Sequence, residues 1–238
     1  MSDLEKLRKD LRKFERSEKK RALQKFFKTG FGEYAEGDKF LGLKTEETRN
    51  IARKNPDLGF SDLEKLLASK IHEERIVAVM ILKQRFEKAD IKKKRAIYHF
   101  YLENLSGINN WDLVDGSAPE IVGGYFSLSK SPRDILYQFA KSNNLWKRRI
   151  AIMVTYKFIK EKDYKDALKI SEILLQDKHD LIHKAVGWML REIGNRDLSA
   201  EEKFLKKYYK KMPRIMLRYA IEKFPERQRK AYLKGEID

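Results

Sequence analysis

The chain has 238 residues, of which 53 are Lys or Arg and 36 are Asp or Glu, so its formal net charge is +17. Hydrophobic residues make up 42% of the sequence, which is enough for a packed core and excludes general disorder. No apolar run approaches the roughly 20 residues that a membrane span needs. The chain contains no cysteine for a disulfide or a thiolate zinc site, which fits a reducing compartment. We therefore expect a cytoplasmic protein whose first candidate partner is a polyanion.

The predicted elements are helices throughout. Only 12 Gly and 5 Pro occur, and apolar residues recur three or four apart along almost the whole chain, with no stretch that alternates like a strand. Three serines mark expected helix starts. Ser61 and Ser199 have capping-box spacing to a following glutamate, and Ser131 precedes a proline suited to a first helical turn. The sequence therefore predicts an all-α fold.

Four of the predicted helices resemble one another in having an early basic residue and a compact apolar face with small residues. They are ERIVAVMILKQRF (74–86), KRRIAIMVTYKFI (147–159), IHKAVGWMLREIG (182–194) and PRIMLRYAIEKF (213–224). Alignment of Ala78, Ala151, Ala185 and Ala220 gives separations of 73, 34 and 35, and the first is about two periods. The missing member then falls at 111–123, the stretch WDLVDGSAPEIVG. This period lies at the short end of HEAT-like arrays, so we predict one domain over residues 1–238, a curved solenoid of antiparallel helix pairs.

In such an array the second helices would line a basic concave face. The side chains expected there are Arg75, Trp111, Asp115, Arg148, Arg149, His183, Lys184 and Trp188. Trp111 and Asp115 are four residues apart and share a helical face, whereas Asp112 points elsewhere. Two plainer interpretations remain open, in which the tryptophans pack between helices and Asp115 caps a turn at Gly116 and Ser117.

Other chemical motifs are weak or absent from the sequence. His179 and His183 have the four-residue spacing of a helical metal pair, but neither an HExxH glutamate nor an obvious third ligand accompanies them. The sequence contains no glycine-rich phosphate loop, no nucleophile turn and no dinucleotide fingerprint. We therefore expect no metal and no cofactor.

Four blocks of the sequence resemble the AlkD family of DNA alkylation repair proteins. In family order they are FFKTGFGEYAEGDKFLGLKTEETRNIAR (26–53), NNWDLVDGSAP (109–119), NNLWKRRIAIMVTYKFI (143–159) and KAVGWMLREIG (184–194), and together they span most of the chain. The resemblance implies HEAT-like repeats. It also implies a DNA glycosylase that excises positively charged alkylpurines, chiefly 3-methyladenine and 7-methylguanine.

The resemblance assigns roles to matching positions. Trp111 and Trp188 match the two groove tryptophans of the family, Asp115 matches its catalytic aspartate, and Arg149 matches its phosphate-contacting arginine. We accordingly predict Asp115, Trp111 and Trp188 as catalytic residues. The predicted DNA contacts are Arg149, Arg148, Lys184 and Arg75.

The chain departs from the family pattern at two points. Asn110 stands where the family has an additional aromatic residue. The N-terminal groove tyrosine has no firm counterpart near Phe26 and Phe27, with Tyr34 as the alternative. These differences bear on lesion preference and efficiency more than on reaction class.

Two other functions fit the same charge and fold. One is a non-catalytic HEAT-like DNA-binding protein, and the other is a scaffold for an acidic protein partner. DNA binding that weakens steeply with salt would argue against the scaffold. The expected partner is duplex DNA carrying alkylated purines, bound by a monomer.

Overall fold

The computed structural model describes residues 1–237, which are helical over most of their length. The helices, in chain order, are α1 (Asp3–Arg12), α2 (Ser17–Phe26), α3 (Thr45–Lys54), α4 (Phe60–Leu67), α5 (His72–Lys88), α6 (Ile91–Glu103), α7 (Trp111–Ala118), α8 (Gly124–Ser129), α9 (Asp134–Ala140), α10 (Leu145–Lys160), α11 (Lys165–Ile173), α12 (Asp180–Gly194), α13 (Leu198–Tyr208), α14 (Arg214–Ala220) and α15 (Glu226–Lys234). A single π-helical turn, Pro119–Gly123, follows α7. Within the described residues the only β contact is an isolated bridge between Lys39 and Ile71. The all-α prediction is confirmed.

The helices group into two compact units. The first, Met1–Ile121, contains α1 to α7, and the second, from Val122 onward, contains α8 to α15. That the chain forms one domain stays a prediction.

In the first unit, α5 is the central helix. It packs against α1, α3, α4, α6 and α7. Several of its apolar residues are fully buried, among them Val77, Ala78, Ile81 and Leu82. Because α7 packs directly on α5, the position of Trp111 and Asp115 depends on this helix.

In the second unit, α10 and α12 are central and pack against each other. Helices α8, α9 and α11 contact α10, while α11, α13 and α14 contact α12. The alanines that define the sequence repeat are at most 1% exposed, as expected for small residues where helices approach closely: Ala78, Ala151, Ala185 and Ala220. The repeat therefore marks positions in the core of each unit.

The three predicted helix starts are close but wrong in detail. Helix α4 begins after Gly59, α9 after Arg133, and α13 after Asp197, each at a distance of two residues from the predicted serine cap. The Asp197 side chain accepts a hydrogen bond from the backbone nitrogen of Ala200 at 3.0 Å and so fills the role expected of Ser199.

The approach of α14 to α12 is closest at Gly187. A Cβ atom at Gly187 would collide with the carbonyl oxygen of Met216 and lie 2.5 Å from Tyr219 Cβ. Neither atom can rotate away, so we expect Gly187→Ala to lower the free energy of unfolding by about 1–3 kcal/mol. Gly116→Ala is the matched control, because a Cβ there meets nothing within 4 Å and alanine favours the helix by about 0.5–1 kcal/mol. Urea unfolding measures the free energy of unfolding of both variants. Equal values for Gly187→Ala and Gly116→Ala would contradict the close approach of α14 to α12.

Candidate functional site

Trp111 and Asp115 lie on α7, whose start is set by Asn110. The Asn110 side chain is fully buried, and its Oδ1 accepts a hydrogen bond from Trp111 N at 2.8 Å. Gly116 and Ser117 lie inside the helix, where Ser117 Oγ donates to the carbonyl four residues earlier at 2.6 Å. Asp115 is therefore the fifth residue of a continuing helix and does not cap a turn at this point.

A cluster of aromatic side chains surrounds Trp111. Its ring stacks on Phe27, with centroids 5.3 Å apart and an interplanar angle of 16°, and Phe27 stacks in turn on Phe40. Phe26 meets Trp111 edge-on at 6.0 Å and is 63% exposed, whereas Phe27 is buried. Tyr34 is partly buried and packs against the same cluster. The exposed aromatic neighbour of Trp111 is therefore Phe26.

An open cleft of about 1550 Å³ in the first unit has Trp111 in its wall. Its lysine and arginine lining residues are Arg49, Arg53, Lys83, Arg85, Lys88 and Lys93. Arg49 and Arg53 are exposed and share Glu46 as an ion-pair partner, at 2.5 and 3.5 Å. Exposed basic groups beside an aromatic face are suited to a nucleic-acid backbone. Sequence reasoning missed the two arginines of α3, although their four-residue spacing places them on one helical face.

The half-buried Asp115 stands near a phenol that anchors α7. Tyr101 is fully buried, and its hydroxyl is 2.9 Å from Ser117 Oγ. Burial raises the pKa of Tyr101, and the carboxylates of Asp115 and Glu120 raise it further. The phenol therefore stays protonated at neutral pH and holds the helix by a hydrogen bond.

Arg75 does not lie on an accessible surface. It is 3% exposed, and its Nη2 donates to Asp38 Oδ2 at 2.6 Å while its Nη1 donates to Ser69 O at 2.8 Å. A guanidinium bound in this way inside the protein cannot reach a DNA phosphate. We therefore assign Arg75 to the structure of the first unit and do not retain it as a DNA contact.

The two arginines of α10 are also engaged by the protein. Arg148 donates from Nε to Asp177 Oδ2 at 2.6 Å and from Nη1 to two carbonyl oxygens at 2.9 Å. Arg149 is 5% exposed and donates from Nη1 to Leu181 O at 2.5 Å, which fixes its guanidinium against the first turn of α12. Arg148 thus braces the start of α12 through Asp177, and Arg149 does so directly.

Helix α12 carries Lys184 and Trp188 on one face. Lys184 Nζ is 3.0 Å from Asp180 Oδ2, and its side chain is 38% exposed. The half-buried Trp188 donates from Nε1 to Glu192 Oε1 at 3.2 Å, and its ring centroid is 6.0 Å from that of Tyr156. The indole orientation is therefore set within the second unit, by its own helix and by α10.

The paired histidines of α12 serve the local backbone. His179 Nδ1 accepts from Leu181 N at 3.1 Å as the cap of the helix, and His183 Nε2 is 2.5 Å from Asp177 O.

Over residues 1–237 no group of three or more His, Asp or Glu side chains is arranged to hold a metal ion. None of the helices in this part of the chain is long and apolar enough to cross a membrane.

Comparison with known proteins places these features in context. The sequence model of the family described as "DNA alkylation repair enzyme" matches residues 7–224. A solved structure described as "Predicted DNA alkylation repair enzyme from Enterococcus faecalis" superposes with a TM-score of 0.69 at 16% identity, over 89% of this chain and 97% of that one. A search of curated proteins finds no match. The structural likeness supports the fold, a helical array of HEAT-like repeats.

Proposed function

The chain belongs to the DNA alkylation repair enzyme family, and on that premise we propose that it is a DNA glycosylase acting in base-excision repair. Its substrates would be cationic alkylpurines, 3-methyladenine and 7-methylguanine, in duplex DNA. The observation that carries the proposal is the position of Asp115 one helical turn after Trp111, on a helix beside the basic cleft of the first unit.

The reaction needs little acid catalysis. Methylation at N3 or N7 makes the purine positively charged, so it leaves with the electron pair of the glycosidic bond and becomes neutral. The deoxyribose then develops the positive charge of an oxocarbenium ion. A carboxylate held near that sugar stabilises the transition state, and it can accept a proton from the water whose oxygen bonds to C1′. We assign this role to Asp115.

The aromatic residues would hold the sugar. A tryptophan face attracts cationic and electron-poor C–H surfaces, which suits Trp111 and, by the family resemblance, Trp188. The exposed ring of Phe26 adds a third aromatic surface next to Trp111.

Basic residues would bind the DNA backbone. Lys184 is the proposed phosphate contact on the second unit, and the exposed cleft residues Arg49 and Arg53 are the proposed contacts on the first. Arg149, predicted as a phosphate contact, is 5% exposed and bound to Leu181 O, so it would act by fixing the first turn of α12. Arg148 would contribute through its bond to Asp177, which holds the start of α12. Phosphate contacts of this kind make DNA affinity fall steeply as salt rises.

The test uses duplex DNA that carries 7-methylguanine and 3-methyladenine. The protein is incubated with this DNA in the presence of a metal chelator and without added nucleotide. We expect free methylated bases above the spontaneous rate, with an equal number of abasic sites. DNA binding without release would instead establish a non-catalytic DNA-binding protein, which the basic cleft also favours. Negligible DNA affinity at low salt would establish a protein-interaction scaffold.

A further inference from the structure

A buried polar network lies beneath the aromatic cluster of Trp111. Its centre is His72, the first residue of α5, which is 1% exposed. The imidazole centroid is 5.0 Å from that of Phe27 and 4.6 Å from that of Phe40. Trp111 stacks on Phe27, so the almost fully buried histidine supports the proposed site from below the aromatic rings.

Charged groups face His72 from three elements. Asp112 Oδ2, on α7, is 2.8 Å from Nε2, and Asp38 Oδ2, between α2 and α3, is 3.5 Å from Nδ1. Arg75 Nη2, on α5 itself, is 3.1 Å from Nδ1. Phe27, the residue that follows α2, faces His72 with an uncharged ring.

These charges balance only when His72 is protonated. Two carboxylates and one guanidinium leave a net charge of −1 around a neutral ring and zero around an imidazolium, and uncompensated charge inside a protein is costly. Burial and the nearby Arg75 guanidinium lower the pKa of His72, but its bonds to Asp112 and Asp38 outweigh both and raise the pKa overall.

The network reaches the proposed site through the first turn of α7. Asp112 is the second residue of that helix, and its Oδ1 accepts from Leu113 N at 2.9 Å while its Oδ2 binds His72. Asn110, the helix cap, is 3.4 Å from Asp38 through its side-chain nitrogen. The first turn is thus tied to the start of α5, beside Trp111 and one turn before Asp115.

We propose that His72 is a positioning residue for the glycosylase reaction, an inference that rests on the proposed function. Its imidazolium joins Asp112 to Asp38 and thereby fixes the Trp111 ring and the Asp115 carboxylate relative to α5. When His72 loses its proton, Asp112 and Asp38 together have one hydrogen-bond donor fewer. The first turn of α7, which carries Asp112, then shifts. Base release then falls as the pH rises past the pKa of His72. The alternative is a neutral ring that accepts from Arg75 and donates only to Asp112, which predicts no such titration.

Nuclear magnetic resonance tests the proposal in the absence of DNA. The chain has four histidines and three tryptophans, so His72→Gln and Trp111→Phe identify the two relevant rings. We expect the midpoint of the His72 titration to lie above that of an unperturbed histidine, with both ring nitrogens protonated at pH 6. The Trp111 indole N–H resonance should shift with the same midpoint, while that of Trp146 should not. A His72 ring that is neutral at pH 6, or a Trp111 resonance that does not follow the titration of His72, overturns the proposal.

Single-turnover release of 7-methylguanine between pH 6 and pH 9 is the second measurement. We expect His72→Gln to be about 10-fold slower at pH 6.5, because small displacements of reacting groups have large effects on rate. Its rate should lack the fall seen in the wild type, because glutamine can donate to Asp112 but carries no charge. The matched control is His99→Gln, which changes an exposed histidine of α6 in the same unit.

The outcomes separate this inference from the function on which it rests. No release by the wild type at any pH refutes the glycosylase, while the resonances still decide the role of His72. Release by His72→Gln with the wild-type rate and pH profile refutes the positioning role. If His72→Gln fails to fold, Asp38→Asn replaces it. Loss of that carboxylate should lower the pKa of His72 and move the fall in release to lower pH.

Discussion

Replacement of Asp115 by asparagine is expected to slow the release of 7-methylguanine by about 10²- to 10³-fold, the usual effect of removing one group that stabilises transition-state charge. Asparagine keeps the shape of the side chain, so α7 and the stacking of Trp111 on Phe27 should persist. It loses the negative charge that the oxocarbenium-like sugar requires and the base that accepts a proton from water. Single-turnover kinetics on a methylated duplex measure the effect.

Affinity for DNA must be measured separately, because the variant also makes a basic protein more basic. Glu120→Gln is the matched control. Glu120 lies just beyond α7 in the same unit and pairs with Lys83 at 3.7 Å, so its replacement makes the same change in net charge. We expect both variants to bind a duplex with an abasic site at least as well as the wild type, and Glu120→Gln to retain most of the release rate. An Asp115→Asn protein with the wild-type rate would remove Asp115 from the chemistry.

The helices could be predicted from the sequence because most of them bury a periodic apolar face, which is a local property of the chain. The course of the chain after Asp115 could not. Gly116 and Ser117 suggested a turn, yet the helix continues because Val114 and Ala118 are fully buried, and tertiary packing overrides weak helix propensity.

Whether a basic residue is exposed or buried also depends on distant parts of the chain. Arg75 occupies the early basic position of a repeat helix, where the sequence suggested a DNA contact. Its partner Asp38 comes from a segment 37 residues earlier in the chain, and the pair is buried. Nothing in the local pattern of α5 identifies that partner. The same holds for His72, whose role emerges only when α7 and the segment before α3 are brought together.

Within α7 the shared face of Trp111 and Asp115 was easier to predict, because their spacing is local. A four-residue separation places Trp111 and Asp115 on one helical face wherever the helix packs. The phenylalanine that supports the tryptophan was harder to assign, since Phe26 and Phe27 are adjacent and point in different directions. Only the structure shows that Phe27 is the buried stacking partner and Phe26 the exposed one.

The second large effect that we expect is a dependence of protein stability on pH, caused by Glu201. This residue of α13 is 2% exposed, its carboxyl group packs against Gly194 of α12, and its Oε1 has no hydrogen-bond partner within residues 1–237. Burial raises the pKa of Glu201 to about 8, the neighbouring Glu202 adds to the rise, and Arg191 opposes it. The folded protein therefore keeps this carboxyl group neutral at physiological pH.

Proton linkage converts this shift into a stability that depends on pH. The unfolded chain releases the proton near pH 4.5 and the folded chain near pH 8, so the stabilising effect is complete below pH 4.5 and is lost as the pH rises to about 8. Each pH unit between these values lowers the free energy of unfolding by about 1.4 kcal/mol, which gives a total of about 3–5 kcal/mol. We expect Glu201→Gln to remove this slope, because its amide stays neutral at every pH.

Urea unfolding from pH 5 to pH 8, followed by circular dichroism and tryptophan fluorescence, measures the slope. The difference between wild type and variant isolates Glu201, because other titrating groups such as His72 contribute equally to both proteins. Glu226→Gln is the matched control in the same unit, since the Glu226 side chain is 77% exposed and pairs with Lys230 in the next turn. It should reproduce the wild-type slope. The contrary result is that the free energy of unfolding depends on pH in the same way for the wild type and Glu201→Gln. Water or a local rearrangement would then solvate the ionised Glu201 carboxylate without loss of stability.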